Sequence, residues 1–202
     1  MTRIKLCGLT RTEDISAANA LKPEFVGFVF APKSKRYVSP RQALELKALL
    51  SLQIQAVGVF VNEETETVAQ LLNDGVIDLA QLHGSEDELY IRKLRALTDR
   101  PILQAFRITS EQDVQRAERS IADHILLDAG AGTGTVFDWS LLRQIRRPYF
   151  LAGGLGPGNV ERALELLHPY AVDISSGIET EGVKDPEKMA AFLAAVRKES
   201  RR

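Results

Sequence analysis

Cysteine occurs once in the 202 residues, at Cys7, so no internal disulfide can form, a usage that fits a reducing compartment. Charge of one sign is lacking too. The formal net charge is -1, and nothing broad draws the chain toward nucleic acid or an anionic membrane. No apolar run approaches the length of a membrane span, and the first residues lack the apolar core of a secretory signal. A cytoplasmic location is the expectation. Three scattered histidines form no cluster with the cysteine or with carboxylates, so no metal is expected. Linkers, low-complexity tracts and composition shifts are also missing, and residues 1–202 read as one domain.

What is present is a rhythm. Short β-branched or aromatic runs recur as RIKLC, EFVGFVF, QAVGVFV, VIDLAQL, PILQAF, DHILLD, PYFLA and AVDIS. They start near residues 3, 24, 55, 76, 101, 123, 148 and 171. Several are almost continuously apolar, as parallel strands covered by helices must be. Between them lie helix-start signals. Thr10-x-x-Glu13, Ser39-Pro40-Arg41-Gln42 and Ser85-x-x-Glu88 read as capping boxes, the second with Pro at the first helical position. Asn62 reads as a further cap, with Gly75 as that helix's stop. Asp185-Pro186 opens a last helix with Met189, Phe192, Leu193 and Val196 on one face. Alternating strands and helices require right-handed crossovers and a parallel sheet. Eight even units in this length predict a compact single-domain α/β fold, the (βα)8 barrel, rather than an open doubly wound sheet.

In such a barrel the chemistry sits on the loops after the strands. Cys7, Asn62, His83, Arg107, Asp128, Gly153, Gly154 and Ser175 pass that filter, whereas Asp123, His124 and His168 read as scaffold. The glycine loops after the seventh and eighth runs, LAGGLGPGNV and DISSGIE, lie where barrels commonly hold a phosphate on backbone amides. Cys7 is either a small buried hydrophobe or a reactive thiol at a strand end. Asp128 is either a loop hydrogen-bonder or an acid paired with that thiol across the barrel mouth. Arg36 lies in the basic loop PKSKR; it is either solvated, as Lys33 and Lys35 are expected to be, or a clamp for a carboxylate. His83 either contacts substrate or satisfies a core hydrogen bond.

Taken in register, KLCGLT, FVGFVF, SKRYV, VGVFVN, QLHG, LLDAGAGTGTVFDW, LAGGLGPGNV and VDISSGIE, followed by GVKD, resemble the phosphoribosylanthranilate isomerase family of tryptophan biosynthesis over nearly the whole chain. That resemblance implies a cytoplasmic (βα)8 barrel, monomeric or homodimeric, that works without cofactor or metal. Its small-molecule substrate would be N-(5-phosphoribosyl)anthranilate, a phosphorylated sugar joined to anthranilate, and the reaction an acid/base Amadori rearrangement. Cys7 maps onto the general base, Asp128 onto the general acid and Arg36 onto the holder of the anthranilate carboxylate. Gly153, Gly154, Ser175, Ser176 and Gly177 map onto the phosphate loops and Asp173 is expected to line the sugar pocket; His83 stays a candidate for substrate contact from its place at the strand end alone. Relative to the family loop, in which glycine is common at 130–132, Ala131 is a departure expected to restrict closure after strand six. A histidine-pathway aminoaldose isomerase would carry aspartate at the end of strand one instead of Cys7, and a non-catalytic phosphate-binding barrel would need only the glycine loops.

Overall fold

The structure, a computed structural model, describes residues 1–128, 130 and 139–199. Eight parallel strands close into a barrel, with the last paired back onto the first. They are β1 (Arg3–Cys7), β2 (Phe25–Val29), β3 (Gln55–Phe60), β4 (Leu79–Leu82), β5 (Ile102–Arg107), β6 (His124–Asp128), β7 (Tyr149–Ala152) and β8 (Ala171–Ile174). Around them run α1 (Thr12–Leu21), α2 (Pro40–Leu49), α3 (Thr65–Asn73), α4 (Glu88–Arg95), α5 (Glu111–Glu118), α6 (Val160–Leu167) and α7 (Pro186–Glu199). Among the described residues the β6–β7 link carries a 3-10 helix, Trp139–Gln144, where the other links carry α-helix. A short antiparallel ribbon, β9 (Glu179–Thr180) and β10 (Val183–Lys184), follows β8. The barrel expected from the rhythm of the runs is the fold observed. Most of the glycine-rich segment 129–134, Ala131 included, lies outside the described residues.

The apolar runs are long because both faces of each strand are covered. Ile4 and Leu6 face the helical shell, while Phe25, Val57, Leu79, Leu103, Leu126 and Phe150 fill the barrel interior. Alternation of side chains then fixes what lies above that plug. The inward positions of β1 are Lys5 and Cys7. In the barrel register Lys5 sits opposite Asp173, and Cys7 opposite Gly27. Above the apolar plug polar groups re-enter the interior toward the carboxyl ends of the strands, while Arg3, His124 and Tyr170 close its lower end.

Several helix starts fall elsewhere than the sequence patterns suggest. The first helix is capped by Asp14, not Glu13: its carboxylate accepts from the Thr10 and Arg11 amides at 3.0 and 3.1 Å. The fourth is capped by Asp87, which accepts from the Tyr90 amide at 2.9 Å. Ser85 instead bonds the Asn62 side chain, so Asn62 ties two loops together and α3 begins three residues later. At α1 and α4 a nearby aspartate, Asp14 or Asp87, takes the bonds the serine and threonine pattern assigned elsewhere. Ser39 does accept from the Gln42 amide, at 3.2 Å, with Pro40 at the first helical position. Gly75 ends α3 with φ +73°. The strand expected from Val76 begins only at Leu79, because the Val76 and Ile77 amides still bond Leu71 in the turn that closes α3. Met189, Phe192, Leu193 and Val196 are all buried on α7.

Candidate active site

The barrel mouth holds a cavity of about 390 Å³. All ten side chains or backbone positions singled out as site residues line it: Cys7, Arg36, His83, Asp128, Gly153, Gly154, Asp173, Ser175, Ser176 and Gly177. They come from six different strand ends, so only the closed barrel brings them together. Asn62 is turned to Ser85 and Glu86 instead, and exposed Arg107 lines an adjoining recess that shares His83 and Asp128.

Cys7 is 8% exposed and packs with Val29 and Val59 at the top of the interior. Room for its sulfur comes from Gly27, where an added Cβ would lie 2.7 Å from Sγ. Burial pushes the thiol above its ordinary range; the charges of Lys5 and Lys184 pull the other way, while Asp173 adds to the rise. Asp128 faces the same cavity from β6. Its Oδ1 accepts from the Gly130 amide at 2.8 Å, which leaves Oδ2 3.7 Å from His83 Nε2. Gln81 Nε2 lies 2.8 Å from His83 Nδ1. With Gln81 donating, Nδ1 is the acceptor and the ring proton sits on Nε2, aimed at Asp128. At 3.7 Å the two side chains are neighbours on the cavity wall and not hydrogen-bonded.

At the opposite rim the Arg36 guanidinium meets Glu179 through Nε and Nη2, at 2.6 and 2.7 Å. One edge of its fork is therefore occupied by protein, and the Nη1/Nη2 edge is the one left for a second carboxylate. Glu179 also accepts from Lys184 at 2.6 Å. Burial opposes its ionisation, yet the Arg36 and Lys184 bonds hold its pKa below the ordinary range. Two cations share one anion, so this rim keeps a net positive charge. Lys184 continues to the Ser175 carbonyl at 2.9 Å, and Ser175 Oγ donates to the Cys7 carbonyl at 3.1 Å. The exposed Lys33 and Lys35 stay in solvent, as expected.

The two glycine loops, after β7 and after β8, lie side by side at the cavity wall. Gly153 and Gly154 adopt φ of +91° and +65°. Ser176 and Gly177 open a 3-10 turn, Ser176–Ile178, and the first amides of a helical turn have no internal acceptor. A Cβ on Gly177 would lie 2.3 Å from the Leu155 carbonyl, so the two loops touch backbone to backbone. Asn159 braces the first loop through Gly154 and Gly156.

Four residues important to this geometry were not assigned roles by sequence reasoning: Lys5, Gln81, Glu179 and Lys184. A usable signal existed for the first two, since each is a polar side chain at an inward position of an otherwise apolar strand run. Gln81 Oε1 and Asp173 Oδ1 are buried acceptors at the cavity wall without a hydrogen-bond partner among the described residues, a state that a ligand's donors would relieve. Glu179 and Lys184 stand beyond the eighth run, where alternation no longer reports orientation. Among the described residues no three His, Cys, Asp or Glu side chains gather as a metal ligand set, and no helix is long and apolar enough to cross a membrane.

Comparison with known proteins places this geometry in context. Residues 4–195 match the family model described as N-(5'phosphoribosyl)anthranilate (PRA) isomerase. The N-(5'-phosphoribosyl)anthranilate isomerase of Endomicrobium trichonymphae is 43% identical over 202 residues, covering 98% of this chain and 99% of that protein. The crystal structure of phosphoribosyl anthranilate isomerase from Thermotoga maritima superposes with a TM-score of 0.90 at 37% identity, covering 98% of this chain and all of that one. A crystal structure of the isomerase in complex with reduced 1-(o-carboxyphenylamino)-1-deoxyribulose 5-phosphate superposes with a TM-score of 0.87 at 36% identity, again over 98% of this chain and all of the other.

Proposed function

The chain belongs to the N-(5'-phosphoribosyl)anthranilate isomerase family, and from that premise we propose how its own side chains divide the reaction. It is an isomerase of tryptophan biosynthesis, converting N-(5-phosphoribosyl)anthranilate to 1-(2-carboxyphenylamino)-1-deoxyribulose 5-phosphate. The observation that carries the division of roles is the single cavity on which the thiol, the carboxyl, the guanidinium and both glycine loops converge.

Asp128, protonated, gives its proton to the furanose ring oxygen, and the ring C–O bond opens to an iminium at C1′. That cation withdraws electrons from C2′. The Cys7 thiolate then removes the C2′ proton, and the electron pair moves into a C1′–C2′ double bond, neutralising the iminium nitrogen. The enolamine so formed takes a proton at C1′ and loses one from the C2′ hydroxyl, which leaves the ketone. Regeneration requires Cys7 to release a proton and Asp128 to regain one, so the cycle is proton-neutral. Each positioned proton transfer of this kind contributes ~100- to ~10,000-fold.

Binding groups surround that pair. The phosphate rests on amides of Gly153, Gly154, Ser175, Ser176 and Gly177, where backbone dipoles favour an anion. The anthranilate carboxylate takes the open edge of Arg36, and the partnerless oxygens of Asp173 and Gln81 receive ribose hydroxyls. His83 neighbours Asp128 on the cavity wall. Freshly prepared phosphoribosylanthranilate should lose its fluorescence when the protein is added, with the deoxyribulose product identified by mass spectrometry; fluorescence decay no faster than the buffer blank would reject the activity. For Arg36→Ala, KM should rise about 10- to 100-fold, the range of a lost charge-assisted bond, while kcat changes less. An unchanged KM would remove Arg36 from the carboxylate.

A further inference from the structure

Lys5 is fully buried beneath the site, two residues before Cys7 on the same inward face of β1. Its register partner on β8 is Asp173, and Lys5 Nζ donates to Asp173 Oδ2 at 2.9 Å. Cys7 is the next inward position above it on the same strand, and the ammonium's charge acts on the thiol. A buried ammonium away from water is tolerated only where anions or strong acceptors surround it. Here two groups able to carry negative charge meet one cation, and the mechanism above assigns that cation nothing.

We infer that Lys5 is a positioning residue for this reaction: its single ammonium is shared between Asp173 and the Cys7 sulfur, and that division governs when the sulfur can accept a proton. The inference rests on reading Cys7 as the base. Other charges reach the sulfur less directly. Lys184 on β10 and Arg36 after β2 are both engaged by Glu179, Gly27 of β2 brings no charge, and His83 and Asp128 lie across the cavity and face one another. Lys5 itself stays protonated, since the pull of Asp173 and Cys7 outweighs its burial. When the thiol ionises, its proton leaves to water at the open mouth and Lys5 is split between two anions. When the sulfur takes the C2′ proton it becomes neutral again, and the ammonium returns to Asp173.

This arrangement makes opposite predictions for the two partners. Asp173→Asn removes the competitor, so the thiolate should form at lower pH. Lys5→Met removes the cation, so it should form at higher pH. Because Cys7 is the sole cysteine, alkylation of the full-length protein by iodoacetamide reads this group alone, with the rate followed against pH. Each midpoint should move by about one unit or more, so that alkylation at a fixed pH below the midpoints is about tenfold faster in Asp173→Asn and about tenfold slower in Lys5→Met. In urea-unfolded chains the three midpoints should coincide, which separates charge sharing from loosened packing. Should Lys5→Met fail to fold, Asp173→Asn, close to isosteric, decides alone by moving downward or not. Midpoints that stay together in the folded proteins, or that move in the same direction, would overturn the inference. Cys7→Ser separates it from the mechanism. Split midpoints with a Cys7→Ser enzyme that still turns over would refute the base assignment only. An inactive Cys7→Ser with unsplit midpoints would refute Lys5 only.

Discussion

Cys7→Ser should lower kcat by ~100-fold or more while the protein keeps its melting temperature, and Asp128→Asn should do the same from the other side of the cavity. Both substitutions preserve shape, so packing offers little reason for loss. A serine hydroxyl at position 7 cannot ionise in this pH range, and the C2′ proton would have no acceptor. An asparagine at 128 has no proton to give the ring oxygen, although it can keep the Gly130 contact through its carbonyl. The two losses should not multiply. When either transfer is missing the iminium fails to form or fails to collapse, so the double variant should resemble the slower single one. Turnover near that of the unmodified enzyme in either single variant would reject the acid/base pair.

The same chemistry has a pH signature. Burial raises the Cys7 thiol and Asp173 raises it further, with Lys5 and Lys184 opposing. The nucleophilic form of the thiol is the deprotonated one, so its alkylation by iodoacetamide in the folded protein should speed up with pH through this raised value, displaced upward from that of the unfolded chain. Anionic substrate adds negative charge to the cavity when it binds, which acts against the thiolate as well. The net positive rim of Arg36, Glu179 and Lys184 partly offsets it.

Much of this site could be read from the chain because strand ends in a barrel converge, and each of the chosen residues follows an apolar run. Cys7 and Asp128 passed that rule together with Asn62 and Arg107, and the family resemblance, not the rule, gave the pair its base and acid roles. The glycine loops were legible for the same reason. What escaped was the layer beneath. Lys5 reads as an ordinary lysine until β8 is known to close onto β1, because its partner Asp173 is 168 residues away. Glu179 escaped because its meaning depends on Arg36, 143 residues earlier. Helix starts were misread for a local reason: at α1 and α4 two acceptors competed within three residues, and spacing alone does not rank them. The pairing of Arg36 with Glu179 changes how that arginine works, since a fork expected to face a substrate carboxylate spends one edge on the protein.

Gly177→Ala should be a damaging single methyl addition in the loops proposed to hold the phosphate. Its Cβ would stand 2.3 Å from the Leu155 carbonyl and 3.1 Å from Ile174 Cδ1. The nearer contact is main chain, which cannot swing aside as the tip of Ile174 could, so the loop after β8 must lift off the loop after β7. The amides that are to hold the phosphate belong to those two loops, and their separation is the dimension that decides the grip. A displacement of about 1 Å at a positioning site costs ~100-fold, so kcat/KM should fall by about that factor. Inorganic phosphate should weaken as a competitive inhibitor in parallel. Gly156 supplies the control. It lies in the same β7 loop, but a Cβ there meets nothing within 4 Å, and Gly156→Ala should leave phosphate inhibition close to that of the unmodified enzyme. If Gly177→Ala binds phosphate and turns over normally, the anion is not held between these loops, and the substrate must enter the cavity in another orientation.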